Sequence, residues 1–191
     1  MNKVLTVLIA TFGTVFAQDT QRSADSFSPA PSQVFYLDLD TAAGASSQWR
    51  HDVVGPLNAL RATVRIPAVQ PDPKWSPTFA LWLEKKEAGQ KHDRVTLQVL
   101  TPPGQKPPFA IRILRVDDGK LIAEEASDTT VHLGESVNLE MVWTTPNLLT
   151  IKIGSSEVHK IPIPWSIDSV GVSASTGELE IDPLVLGSAP H

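Results

Sequence analysis

The stretch Leu60-Arg61-Ala62-Thr63-Val64-Arg65-Ile66 alternates apolar and polar at every step. Successive side chains of an extended strand point to opposite faces, so this segment has one face for a core and another carrying arginines. The same period of two returns along the chain. Phe35, Leu37 and Leu39 share a face, as do Phe79, Leu81 and Leu83, then Val95, Leu97 and Val99, then Val137, Leu139, Met141 and Trp143. No stretch of adequate length repeats its apolar residues every 3.6 positions. Sixteen prolines, most of them between the alternating segments, disfavour long helices. The pattern predicts one all-β domain, a two-sheet antiparallel β-sandwich or jelly roll of about eleven or twelve strands.

Turn chemistry separates the strands. Thr41–Ser47 is small and loop-like, and Trp49–Val54 is a weak extended segment. Pro67, Pro71, Pro73 and Pro77 make a rigid loop that contains Trp75. Asp117-Asp118-Gly119 predicts a turn between Ala110–Val116 and a partner strand at Leu121–Ala126. Pro146-Asn147 turns the chain, Gly154-Ser155 predicts a hairpin between Leu148–Ile153 and Glu157–Ile161, and Val170–Ala174 and Glu178–Leu186 close the domain.

The N-terminus has the form of an export signal. Met1-Asn2-Lys3 is a short positive region, Val4 to Phe16 is mostly apolar and uncharged, and Val15-Phe16-Ala17 predicts cleavage after Ala17. The apolar run is shorter than the roughly 20 residues a membrane helix needs. No other segment is long and apolar enough, so no membrane span is expected after cleavage. The expected organisation is a signal peptide at 1–17, a polar leader at 18–32, the sandwich at 33–187 and a short tail at 188–191. The net charge is −5, more negative once Lys3 leaves. That argues against nucleic acid as a partner, because its binding rests on a basic surface. The chain has no cysteine, which suits an exported bacterial domain large enough to hold together without disulfides. The expected location is the periplasm or the extracellular space, and oligomeric state stays open.

Arg61 and Arg65 stand roughly 13–14 Å apart along an extended strand. Arg61, Arg65, Gln98 and Arg112 are expected to line one sheet face, with Trp82 in the polar register of its own strand. Guanidinium and amide groups bond sugar hydroxyls or carboxylates, and indole stacks on a pyranose ring. The competing expectation is an ordinary solvated face with cross-strand ion pairs and Trp82 at the rim of the core. Trp75 is either a stacking platform or a plug at one end of the sandwich. Trp49, Trp143 and Trp165 are expected in core or loop packing. Glu178, Glu180 and Asp182 fall on one face of the last strand, as an acidic surface or a weak structural calcium site. No other cofactor is expected: the five histidines are scattered, Asp117-Asp118-Gly119 lacks further calcium ligands, and no Gly-x-Ser-x-Gly elbow or phosphate-cradling glycine loop occurs.

The late segments carry a family resemblance. Gly134-Glu135-Ser136-Val137-Asn138-Leu139-Glu140-Met141-Val142-Trp143, then Leu149-Thr150-Ile151-Lys152-Ile153-Gly154, Val170-Gly171-Val172-Ser173, Thr176-Gly177-Glu178-Leu179 and Ile181-Asp182-Pro183-Leu184-Val185-Leu186-Gly187 resemble the concanavalin A-like lectin/glucanase superfamily, which includes laminin-G-like domains and polysaccharide lyases. The alginate-lyase-like branch is similar through Arg61 and Arg65 on one strand and Gln98-Val99-Leu100 on another. Leu100 stands where that branch has a catalytic histidine, and Val170–Ala174 contains no tyrosine where the branch has one. The resemblance therefore implies a sugar-binding surface without the proton-transfer residues of elimination. Three readings stay open. The first is a non-catalytic domain binding a polysaccharide, in particular an acidic one, through Arg61, Arg65, Trp82 and Gln98. The second is a lyase or glycosidase with rearranged catalytic residues. The third is an exported structural or protein-interaction domain. Co-facial, exposed arginines and Trp82 favour the first; a buried Trp82 or arginines paired to carboxylates favour the third.

Overall fold

The computed structural model describes residues 32–70, 72–85, 92–144, 147–155 and 157–189. The expected signal peptide and nearly all of the leader lie outside the described residues, as does the polar stretch at 87–91, which its composition predicts as a turn. Twelve strands follow one another: β1 (Gln33–Asp40), β2 (Ser46–Asp52), β3 (Ala59–Arg65), β4 (Thr78–Lys85), β5 (Asp93–Leu100), β6 (Phe109–Asp117), β7 (Lys120–Val131), β8 (Ser136–Thr144), β9 (Asn147–Ile153), β10 (Glu157–Ile163), β11 (Ser169–Ser175) and β12 (Glu178–Gly187). They form two six-stranded antiparallel sheets. The first has the order β1-β12-β3-β8-β9-β10 and the second β2-β11-β4-β5-β6-β7. The expected all-β sandwich is the fold observed. No described helix is long and apolar enough to cross a membrane.

Period-two alternation places the core. Leu60, Ala62 and Val64 of β3, Leu139 and Met141 of β8, and Leu149 and Ile151 of β9 face inward from the first sheet. Phe79, Leu81 and Leu83 of β4, Val95, Leu97 and Val99 of β5, and Val170 and Val172 of β11 meet them from the second. Burial of each large apolar side chain contributes about 1.5–3 kcal/mol, which explains why one uncharged face per strand suffices. Trp143 and Trp165 are buried and Trp49 packs against the core, as expected.

Two strand boundaries differ from expectation by three residues or more. β2 begins at Ser46, inside the stretch expected as loop, because pairing with β11 carries the two serines into the ladder. β7 runs on to Val131, beyond the expected Ala126, with a register shift that leaves Ser127, Asp128 and Thr129 outside the regular pairing with β6. The β6–β7 hairpin turns on Asp118 and Gly119, both at positive φ (50° and 73°). That is the two-residue turn whose twist matches its strands.

Candidate functional site

The six candidate residues do not share a face. β3 belongs to the first sheet, whereas β4, β5 and β6 belong to the second. Arg61 and Arg65 therefore stand on the outer face of one sheet, and Trp82, Gln98 and Arg112 on the outer face of the other, with the core between. The expected single Arg/Gln/Trp surface is corrected on this point. Each arginine is also paired: Arg61 Nε donates to Glu140 at 2.7 Å, Arg65 Nη1 to Glu180 at 3.0 Å, and Arg112 Nη1 to Glu124 at 2.8 Å. The three strands expected to assemble a lyase-like site are likewise divided, β3 in one sheet, β5 and β11 in the other.

Trp82 is only 5% exposed although it points away from the core. The cause is Gly171, its cross-strand neighbour on β11. A Cβ at position 171 would overlap the indole, so only glycine lets the ring lie flat across the sheet. The Arg94 guanidinium covers the other side, 4.9 Å from the ring centroid, a cation–π contact. Arg94 Nε also donates to Glu84 at 3.0 Å, Arg50 reaches the same carboxylate, and Ser169 Oγ donates to it at 3.0 Å. Burial pushes the Glu84 carboxyl up, but Arg94, Ser169 and Arg50 outweigh burial and hold it below the ordinary value. Glu84 is thus an ionised strut at neutral pH, poorly suited to donating a proton. Trp82 is a floor rather than an exposed stacking platform, and its buried indole N–H has no partner among the described residues.

Beside this floor the register sets out a row of polar side chains. Gln48 of β2 pairs with Ser173 of β11, Ser173 with Ala80 of β4, Ala80 with Gln98 of β5, and Gln98 with Arg112 of β6. Five adjacent strands at about 4.8 Å spacing make a row some 19 Å long. Among the described residues, the side chains of Gln48, Ser173 and Gln98 make no hydrogen bond to protein, and Thr96, beside Trp82, makes none either. Arg112 keeps Nε and Nη2 uncommitted. The face is a band of open amides and hydroxyls, lowest at Ala80. Sequence reasoning found Gln98 and Arg112 but missed Gln48 and Ser173, whose only signal was their position in strands not yet assigned to a sheet.

The outer face of the first sheet holds a depression of about 370 Å³ around Arg61, Thr63, Asn138, Glu140, Lys152 and Pro183. The Lys152 ammonium above all, with Arg61, holds the Glu140 carboxyl below its ordinary value against the opposing effect of burial. Trp75 is 53% exposed and lies over Gly44, with the Asp72 carboxylate accepting from the Lys74 and Trp75 amides. It is a surface residue and not a plug. Glu180 is the ion partner of Arg65, and the last strand is bulged between Ile181 and Leu184, which interrupts the expected row of carboxylates. Among the described residues no group of three or more histidine, aspartate or glutamate side chains is placed to hold a metal ion.

No protein-family model matches the chain, and no curated protein matches it in sequence. Solved structures do match in fold. A prokaryotic β-1,3-1,4-glucanase (lichenase) from a mouse hindgut metagenome superposes with a TM-score of 0.55 at 12% identity, covering 81% of this chain and 79% of that one. A pseudo β-1,3-glucanase and immunostimulatory antigen of Mycobacterium tuberculosis gives 0.51 at 16% identity, over 84% and 76%. A galectin of Caenorhabditis elegans gives 0.51 at 10% identity, over 78% and 94%. The chain has the concanavalin A-like jelly-roll fold.

Proposed function

We propose that this chain is an exported, non-catalytic glycan-binding jelly roll whose binding surface is the outer face of the second sheet. The observation that carries the reading is the row Gln48, Ser173, Ala80, Gln98 and Arg112. Its amides and hydroxyl make no bond within the described residues, its guanidinium is held by Glu124 through Nη1 with Nε and Nη2 left open, and the groups follow one line across five strands. A row of some 19 Å suits several consecutive sugar rings, each offering hydroxyls as donor and acceptor. The indole beneath Arg94 stiffens the floor, and a preorganised surface loses less entropy on binding. Neighbours of the same fold named as a lichenase and a galectin accord with a glycan as partner. The signal peptide expected at 1–17 supports export to the periplasm or beyond.

Catalysis is disfavoured on the same face. Two-carboxylate hydrolysis needs one carboxyl to hold a proton at working pH. Glu84 is kept ionised by Arg94, Ser169 and Arg50, which outweigh its burial. The pairing of Arg61, Arg65 and Arg112 and the burial of Trp82 favour the reading as an interaction domain without sugar, and one experiment separates the two. A glycan array probed with the wild-type protein and with Gln48→Ala/Gln98→Ala should show a bound glycan lost in the double variant. An array with no bound glycan, or binding that survives the double change, sinks the proposal.

A further inference from the structure

The depression on the first sheet is a consequence of two interruptions in its ladder. β12 pairs with β3 on either side of a bulge, with Ile181 opposite Val64 and Leu184 opposite Ala62. Two β12 residues, Asp182 and Pro183, therefore fall opposite Thr63, and neither stands in regular register beside it. On the other flank β9 ends at Ile153, and the next residue, beside Asn138, is Gly154. Thr63 and Asn138 form a low row between the β12 bulge and Gly154, joined by a hydrogen bond of 3.0 Å from Thr63 Oγ1 to the Asn138 side-chain oxygen. The resulting volume of about 370 Å³ falls within the range of small-molecule sites, about 300–1,000 Å³.

The polar groups around it are mostly donors. Glu140 accepts from Arg61 Nε at 2.7 Å and from Lys152 Nζ at 2.8 Å, so one carboxylate faces two cations and the site keeps an excess positive charge. Among the described residues Arg61 uses only Nε, leaving the Nη1/Nη2 edge of its guanidinium open. The Asn138 amide nitrogen is also unused, because the side-chain oxygen takes the Thr63 bond. Pro183 and Val185 supply an apolar wall. A planar guanidinium edge matches a carboxylate better than a point charge does. The amide and hydroxyl on the floor, with an apolar wall, match the hydroxyls and CH face of a sugar ring.

We infer that this depression is a second, separate binding site, specific for a carboxylate-bearing sugar unit (a uronate) held by Arg61, Lys152 and Asn138. It lies across the core from the row of the proposed function and does not depend on it. The test is an NMR titration of the isotope-labelled protein with galacturonate, glucuronate and mannuronate trimers, each beside its uncharged methyl ester. Sodium sulfate serves as a third arm. The expected result is that at least one acid trimer shifts the amides of Thr63, Asn138 and Gly154, with its ester about tenfold weaker, the scale of one lost charge-assisted bond. Arg61→Gln should weaken the trimer by about tenfold as well. Thr63→Phe, which fills the floor without changing charge, should abolish binding while the remaining amide spectrum shows a folded domain. Gln98→Ala should leave this site untouched. No shift with any trimer, equal binding of acid and ester, sulfate binding as tight as the trimer, or indifference to both pocket variants would overturn the inference.

Discussion

Glu157 at the start of β10 ties the two sheets together, and its removal is the sharpest test of how this sandwich is held. Its carboxylate accepts from Ser127 Oγ and Thr129 Oγ1 at 2.6 Å each, from the Asp128 and Thr129 amides at 3.1 Å each, and contacts His159 Nε2 at 2.7 Å. The two amides are available because the register shift in β7 takes residues 127–129 out of the ladder with β6, and a buried or half-buried amide without a partner is costly. Burial pushes the carboxyl up, but Ser127, Thr129, His159 and Asp128 bring it from 4.5 down to about 2. At about 1.4 kcal/mol per pH unit, that difference contributes about 3 kcal/mol at neutral pH. The side chain is 17% exposed, so solvent screening removes little of it. Because the folded pKa lies below the unfolded one, the contribution is complete above pH 4.5 and fades as pH falls toward 2. Glu157→Gln should therefore lose about 2–3 kcal/mol at pH 7 in urea unfolding, or about 5–10 °C in melting temperature for a domain of this size. The gap between variant and wild type should narrow steadily below pH 4.5. A gap of the same size at pH 7 and pH 2.5 would refute the electrostatic account and leave only shape.

Three further outcomes follow from the same contacts. His159 is raised above its ordinary value by Glu157 and Glu125 despite burial; its contribution is complete below pH 6.5 and lost as pH rises through its folded value, so His159→Gln should cost stability at pH 5.5 and little at pH 9, measured by urea unfolding at each pH. Arg94→Met should destabilise by about 2–4 kcal/mol, because a carboxylate 2% exposed then keeps, among the described residues, only Arg50 as a charged partner; unfolding at pH 7 measures it, and a loss under about 0.5 kcal/mol contradicts the strut assignment. Gly171→Ala should displace the Trp82 indole and cost about 1–3 kcal/mol by overpacking, seen as a changed near-ultraviolet dichroism spectrum together with lower stability.

The inward faces were legible because burial acts locally with the pleat: Leu60, Phe79, Val95 and Met141 each announce their side by their neighbours two positions away. The sheet to which each strand belongs was not, because pairing partners are chosen over long sequence separations. β3 and β4 show the same alternation and follow one another in the chain, yet they lie in opposite sheets. Arg61 and Trp82 were therefore assigned to a common surface that does not exist. Gln98 and Arg112 were placed together correctly, since β5 and β6 are consecutive strands that pair directly. Gly171 carried a weak local signal as a glycine inside an apolar strand, a position that often marks a close approach, but nothing local says that Trp82 is what approaches. The depression at Thr63 depends on a bulge in β12 and on the end of strand β9 at Ile153, neither of which alternation reports.

The ties at the flanks also bear on how such a chain survives among its own copies. A sandwich leaves four outermost strands with unspent backbone groups, the usual template for growth of one sheet onto another molecule's. Here β7 and β10 are bound to each other through Glu157 and His159. At the opposite flank Phe35 of β1 packs on Trp49 and His51 of β2, at 4.9 and 4.8 Å between centroids, while Gln33 bonds His51 at 2.9 Å. Each border strand is fastened to the border of the other sheet. For an incoming strand to dock alongside, it must first prise apart a flank that side chains hold shut, so resistance to polymerisation is written into the margins of a fold that has no disulfide to fall back on.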